Sequence, residues 1–181
     1  MANKIYHQAK HLEDVGADQS NLLTSYIPQI QPGDITNREG HSAKVYFNSL
    51  FGLSFSRNNQ GFVNSALNYG YAIILSAFNR TIVASGYSTQ IGLFHRNEFN
   101  PFNFACDLME PFRVLVDRLV FQMQNETFDI EAKRILQNIL NQKIKISGKE
   151  YTVSDAIGIY CKSVFNALNT RDLSQLSFYE L

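Results

Sequence analysis

At 181 residues, 45% hydrophobic and 18% charged, the chain has the composition of a globular domain able to bury a core, which excludes a disordered segment. Sixteen basic and sixteen acidic residues cancel to a formal net charge of zero, which excludes the broad basic surplus of a strong nonspecific nucleic-acid binder. Two cysteines, Cys106 and Cys161, exclude a disulfide framework and suit a reducing cytoplasm, and the longest apolar run, "YAIILSAF", is too short to cross a bilayer.

In chain order, residues 4–15 are predicted to form a helix that stops at Gly16; this opening stretch carries no apolar signal core. "SNLLTSYI" is a short second helix ending before Pro28, and "QPGD" (31–34) is a turn. A third helix is predicted from Thr36 to about Leu50, because Ala43, Tyr46, Phe47, Leu50 and Phe51 recur with the helical period. "SRNNQG" (56–61) is a polar loop. The helix over 62–85 is apolar on nearly every side, is closed by Gly86, and is expected to be the buried central helix. A fifth helix is predicted from Asn103 to about Met123, on a stripe of Leu108, Phe112, Leu115, Val116, Leu119, Val120 and Met123. Pro111 kinks it, because proline lacks the N–H that would bond the Asp107 carbonyl. A sixth helix covers 129–141. "KIKISGKEYTV" (143–153) switches to alternation around a Ser-Gly turn and reads as a β-hairpin. Ser154 then caps a last helix to about Leu168. The fold class is mainly α: one compact helical domain over residues 1–181, with about seven helices and one small hairpin.

The chemistry-bearing residues each have two readings. Asp107 and Glu110 are spaced i, i+3 and share a helix face pointing away from the apolar stripe, where acids near a helix start are ordinarily solvated. Glu39 completes "TNRE", a capping box with Thr36 as N-cap, yet it also extends the apolar row of its helix inward, where a carboxylate needs a cation. His95 sits among Phe94, Phe99 and Phe102, as a packing residue or as a ligand. His7 and His11 have the i, i+4 spacing of helical zinc pairs but lack the companion residues of such a site. His41 is read as surface.

Three segments, "GDITNREGHSAKVYFNSLFG", "ALNYGYAIILSAF" and "IVASGYSTQIGLFHRNEFNPFNFACDLMEPFR", resemble in this order the CRISPR-associated integrase family. These are metal-dependent DNA endonucleases that insert new spacers during CRISPR adaptation. The likeness covers about residues 4 to 169, is densest over 33 to 120, and in the hairpin region is similar to the version in type II CRISPR systems. It implies a catalytic metal site of Glu39 (from "REG"), His95 (from "GLFH") and Glu110 (from "DLMEPFR"), with Asp107 placed to orient these ligands without touching the ion. Two carboxylates and an imidazole suit Mg²⁺ or Mn²⁺ with positions left for water and phosphate. Asn68 and Tyr69 are candidates to line the site, and Arg96, Arg113 and Lys44 are candidate DNA contacts.

The resemblance further implies cytoplasmic location, double-stranded DNA as substrate (spacer precursor and CRISPR repeat), a homodimer, a small partner protein and no membrane. Members usually begin with an N-terminal β-domain, and nothing in this chain corresponds to it, so the chain is expected to be the catalytic domain of a longer protein. The alternative is a noncatalytic helical module that binds DNA or a partner. The competent residue at all three ligand positions favours the enzyme.

Overall fold

The structure is a computed structural model that describes residues 1–123 and 127–181. The α-helices are α1 (Ala2–Asp14), α2 (Ser20–Tyr26), α3 (Arg38–Phe51), α4 (Phe62–Ala84), α5 (Asn103–Met109), α6 (Arg113–Gln122), α7 (Ile130–Gln137) and α8 (Val153–Thr170). Among the described residues the named strands are β1 (Lys143–Ile146) and β2 (Lys149–Thr152), an antiparallel pair with Ile146 opposite Lys149. The chain is mainly α, with its hairpin where the alternation put it. Ser147 and Gly148 both take positive φ, as a two-residue hairpin turn requires.

The chain forms two compact units. One is built from residues 1–69 and 111–136, the other from 70–110 and 137–181. In the first, α1, α2 and α3 pack around Ile5, Ala9, Leu12, Leu23, Tyr46 and Leu50. Two buried histidines hold this unit together through hydrogen bonds. His7 Nδ1 lies 3.1 Å from the Pro111 carbonyl oxygen, and His11 Nδ1 lies 2.6 Å from the Tyr46 hydroxyl. Their i, i+4 spacing is therefore a packing device.

Burial lowers the His11 pKa to about 4. Above pH 6.5 its ring is neutral folded and unfolded, so it makes no difference to stability. Between pH 6.5 and about 4 the unfolded chain binds a proton that the folded chain does not, and stability falls. The expected loss is up to about 3 kcal/mol across that window, to be checked by urea denaturation at several pH values. His11→Asn should flatten this part of the profile; a profile unchanged by the substitution would assign the slope elsewhere.

Three expectations from sequence are corrected here. First, α3 is not started by a Thr36–Glu39 capping box. The Asp34 carboxylate does that work, accepting from the Arg38 N–H (2.8 Å) and the Glu39 N–H (3.0 Å), with Asn37 left-handed at the N-cap position. Second, α8 begins two residues early: the cap is Thr152, not Ser154, and its Oγ1 accepts from the Asp155 N–H. Third, α4 is not buried all round, since Ser65, Asn68, Ala72, Ser76, Arg80 and Val83 form an exposed strip along it. Small and polar residues at i, i+3 and i, i+4 steps mark that face, and the mean apolarity of the helix hides them. The kink at Pro111 is present as a 3-10 turn, Glu110–Phe112, between α5 and α6.

In the second unit, Tyr87 stacks on Phe165 at 4.1 Å, and Phe78 meets Tyr160 edge to face. Cys161 is buried on α8 and its thiol is pushed up to about 12, so it is inert packing.

Candidate functional site

The second unit carries the segment 92–95, "GLFH", on a carboxylate. Asp107, on α5, accepts backbone N–H bonds from Leu93 (2.5 Å), Phe94 (2.9 Å) and His95 (3.1 Å). Its Oδ1 also lies 2.6 Å from Nδ1 of the His95 ring. A carboxylate can only accept, so Nδ1 carries a proton, and in the neutral form of the ring the lone pair is on Nε2. The Asp107 side chain is 8% exposed and the His95 side chain 37%, so the clamp is inside and the ring reaches outward.

The loop is tied at its far end by amides that the sequence reading did not single out. Asn103 donates to the carbonyls of Gln90 (3.0 Å) and Asn97 (2.8 Å), and Thr89 donates to the Pro101 carbonyl. Asn97 and Asn100 each accept from an N–H two residues on, at Phe99 and Phe102. Asn before aromatic residues in "NEFNPFNF" was the available signal for such turns.

Gly92 is the tightest point. A Cβ there would overlap the His95 carbonyl oxygen and stand 2.7 Å from Asp107 Oδ2. Gly92→Ala is therefore expected to push the loop off its clamp and cost about 2 kcal/mol. Scanning calorimetry should show a fall of about 4–8 °C in Tm. An unchanged Tm would mean that the loop yields without cost.

Glu110 opens the 3-10 turn and is 8% exposed. The solvated-face reading of Asp107 and Glu110 is thus corrected: both carboxylates are withdrawn from solvent. The i, i+3 pattern identified a shared face but not what covers it.

Glu39 belongs to the first unit. Freed from capping by Asp34, its Oε1 accepts from Lys4 Nζ at 2.7 Å, with the two side chains 22% and 12% exposed. Asn68 is exposed, and its Oδ1 holds the guanidinium of Arg57 at 2.5 Å; Asn64 Oδ1 holds the other arm. These residues line a cleft of about 620 Å³ beside the start of α4. Tyr69 packs edge to face on Phe128, in line with its packing reading. Arg96 and Lys44 are exposed and Arg113 is half-buried at the start of α6. Among the described residues, no three His, Cys, Asp or Glu side chains are grouped as around a metal ion.

A family model described as CRISPR associated protein Cas1 matches residues 2–143. The chain belongs to that family. A CRISPR-associated endonuclease Cas1 of Neisseria meningitidis serogroup C (strain 8013) is 34% identical over 184 residues, covering 98% of this chain and 60% of its own length. Two solved structures share the fold. One is a casposase bound to integration product (TM-score 0.73, 21% identity, 94% of this chain and 62% of that chain). The other is a Cas6-RT-Cas1–Cas2 complex (TM-score 0.73, 18% identity, 97% and 24%). The chain thus spans about three fifths of the Neisseria relative. No described helix is long and apolar enough to cross a membrane.

Proposed function

We propose that this chain is the catalytic part of a metal-dependent DNA endonuclease and integrase of CRISPR adaptation, with Glu39, His95 and Glu110 as the residues that hold Mg²⁺ or Mn²⁺. The observation that carries the reading is the Asp107 clamp. A histidine that ligates a metal ordinarily donates its other ring N–H to a carboxylate, and His95 does so at 2.6 Å. Two further features support the donor set. Glu39 already attracts a cation, the Lys4 ammonium, and Glu110 is a withdrawn carboxylate. Hard oxygen donors with one imidazole match these ions in chemistry.

When bound, the ion would polarise a phosphoryl oxygen and lower the pKa of a water or hydroxyl. The chain's own residues do the rest. Asp107 fixes the tautomer of the neutral His95 ring, in which Nε2 is the atom that can ligate. Arg96 is an exposed cation that can face DNA phosphates, and Arg57, whose guanidinium is oriented by Asn64 and Asn68, is a second candidate contact. The reaction is transesterification: a DNA 3′-hydroxyl attacks a phosphodiester, the O–P bond to the leaving strand breaks, and the proton passes to solvent. Little covalent work falls to the protein beyond positioning.

On this reading the substrate is double-stranded DNA and the partners are a second copy of the chain and a Cas2-type protein; a Cas1–Cas2 complex of like fold supports the last of these. The test is cleavage and joining of labelled duplexes with Mn²⁺, comparing the parent chain with Glu110→Gln inside the full-length protein. Equal activity of the two would leave only the noncatalytic binding module.

A further inference from the structure

Lys4 stands on the first turn of α1 and reaches Glu39 on α3 across 35 positions of sequence. Both groups are mostly withdrawn from water. The helix does not need this contact for anchorage, because Ile5, Ala9 and Leu12 already pack it into the unit. The ammonium meets the one carboxylate of this unit that the ligand assignment uses. Were that carboxylate left without a cation, its desolvation would be uncompensated.

We infer that Lys4 is the built-in counter-cation of Glu39, which a divalent ion must displace when it binds. The inference rests on the proposed ligand role of Glu39. An oxygen that accepts from an ammonium at 2.7 Å cannot also ligate a metal ion unless two cations stand within a few ångströms of each other. Lysine suits such a role. It is a compact charge on a flexible four-carbon stem, so it can swing away, whereas the fork of an arginine would grip the carboxylate with two bonds. The domain then keeps Glu39 in place and charge-balanced until an ion arrives, and loading is a cation exchange.

The experiment is a Mn²⁺ titration followed by electron paramagnetic resonance of the free ion, with no DNA and no turnover. Lys4→Met, which keeps the aliphatic stem, should bind Mn²⁺ about fivefold more tightly than the parent, because a competing charge is gone. Lys4→Gln should do the same and serves if the methionine variant folds poorly. Lys4→Arg should bind no more tightly than the parent. In a Glu39→Gln background the gain from Lys4→Met should vanish. If Glu39→Gln weakens Mn²⁺ binding but neither neutral Lys4 variant tightens it, the counter-cation inference is wrong and the ligand assignment stands. If Glu39→Gln binds Mn²⁺ as well as the parent, the ligand assignment itself fails and takes this inference with it.

Discussion

Glu110→Gln should lower the rate of DNA cleavage and joining by about a thousandfold, the equivalent of about 4 kcal/mol of transition-state stabilisation. The burial of Glu110 at 8% exposure decides the choice of variant. Alanine would leave a hole beside the Pro111 turn, and a lost fold would then imitate a lost ligand. Glutamine has nearly the same volume and removes only the charge and one acceptor oxygen. Circular dichroism and Tm should stay close to the parent while Mn²⁺ binding weakens. Robust joining by the glutamine variant would remove Glu110 from the ligand set. A fall in Tm that accounts for the activity loss would reassign it to the fold.

Asp107→Ala should be the most disruptive single change in the second unit. It strips the acceptor from three successive N–H groups and from the His95 ring. Leu93 and Phe94 are exposed, so water can satisfy part of that loss, and the expected cost is about 3 kcal/mol. Metal affinity should fall by about 10–100-fold as the ring loses its fixed orientation. Nitrogen-15 NMR separates the two effects. The parent should show His95 protonated at Nδ1, and the alanine variant a tautomer mixture. Asp107→Asn keeps one acceptor oxygen, so it should retain part of the stability and less of the ring order. A parent ring protonated at Nε2 would contradict the role given to the clamp.

Much of this was legible in the sequence, for definable reasons. The turn at Ser147-Gly148 could be seen because the apolar period changes from helical to alternating there. Pro111 announced its turn because it removes a specific N–H. What escaped were contests between near neighbours and between distant residues. Thr36 and Asp34 both offered oxygens to the start of α3. The carboxylate of Asp34 took the Arg38 and Glu39 N–H groups, and the regular box spacing of "TNRE" gave no hint of it. The Asp107 clamp joins residues 12 to 14 positions apart across an irregular loop, which periodicity does not address. Gly92 could be quoted as part of "GLFH", but its reason is steric and needs the carboxylate behind it in space. The Lys4–Glu39 pair is tertiary and has no local signature at all.

The way the chain shares itself between the two units bears on how the protein can be dissected. One unit needs residues 1–69 with 111–136, and the other needs 70–110 with 137–181. No single cut in the reading frame therefore yields an intact unit on each side, because every position leaves at least one of them in two pieces. The first crossing, at Tyr69–Gly70, falls inside the continuous helix α4, so a break there also severs a run of helical hydrogen bonds. A ladder of terminal deletions would consequently report total loss at almost every rung and misassign function to whichever rung came first. Point substitutions that hold volume constant are the instrument suited to this chain. A reporter module is best inserted in an exposed stretch such as 171–175, within one unit and away from all three crossings.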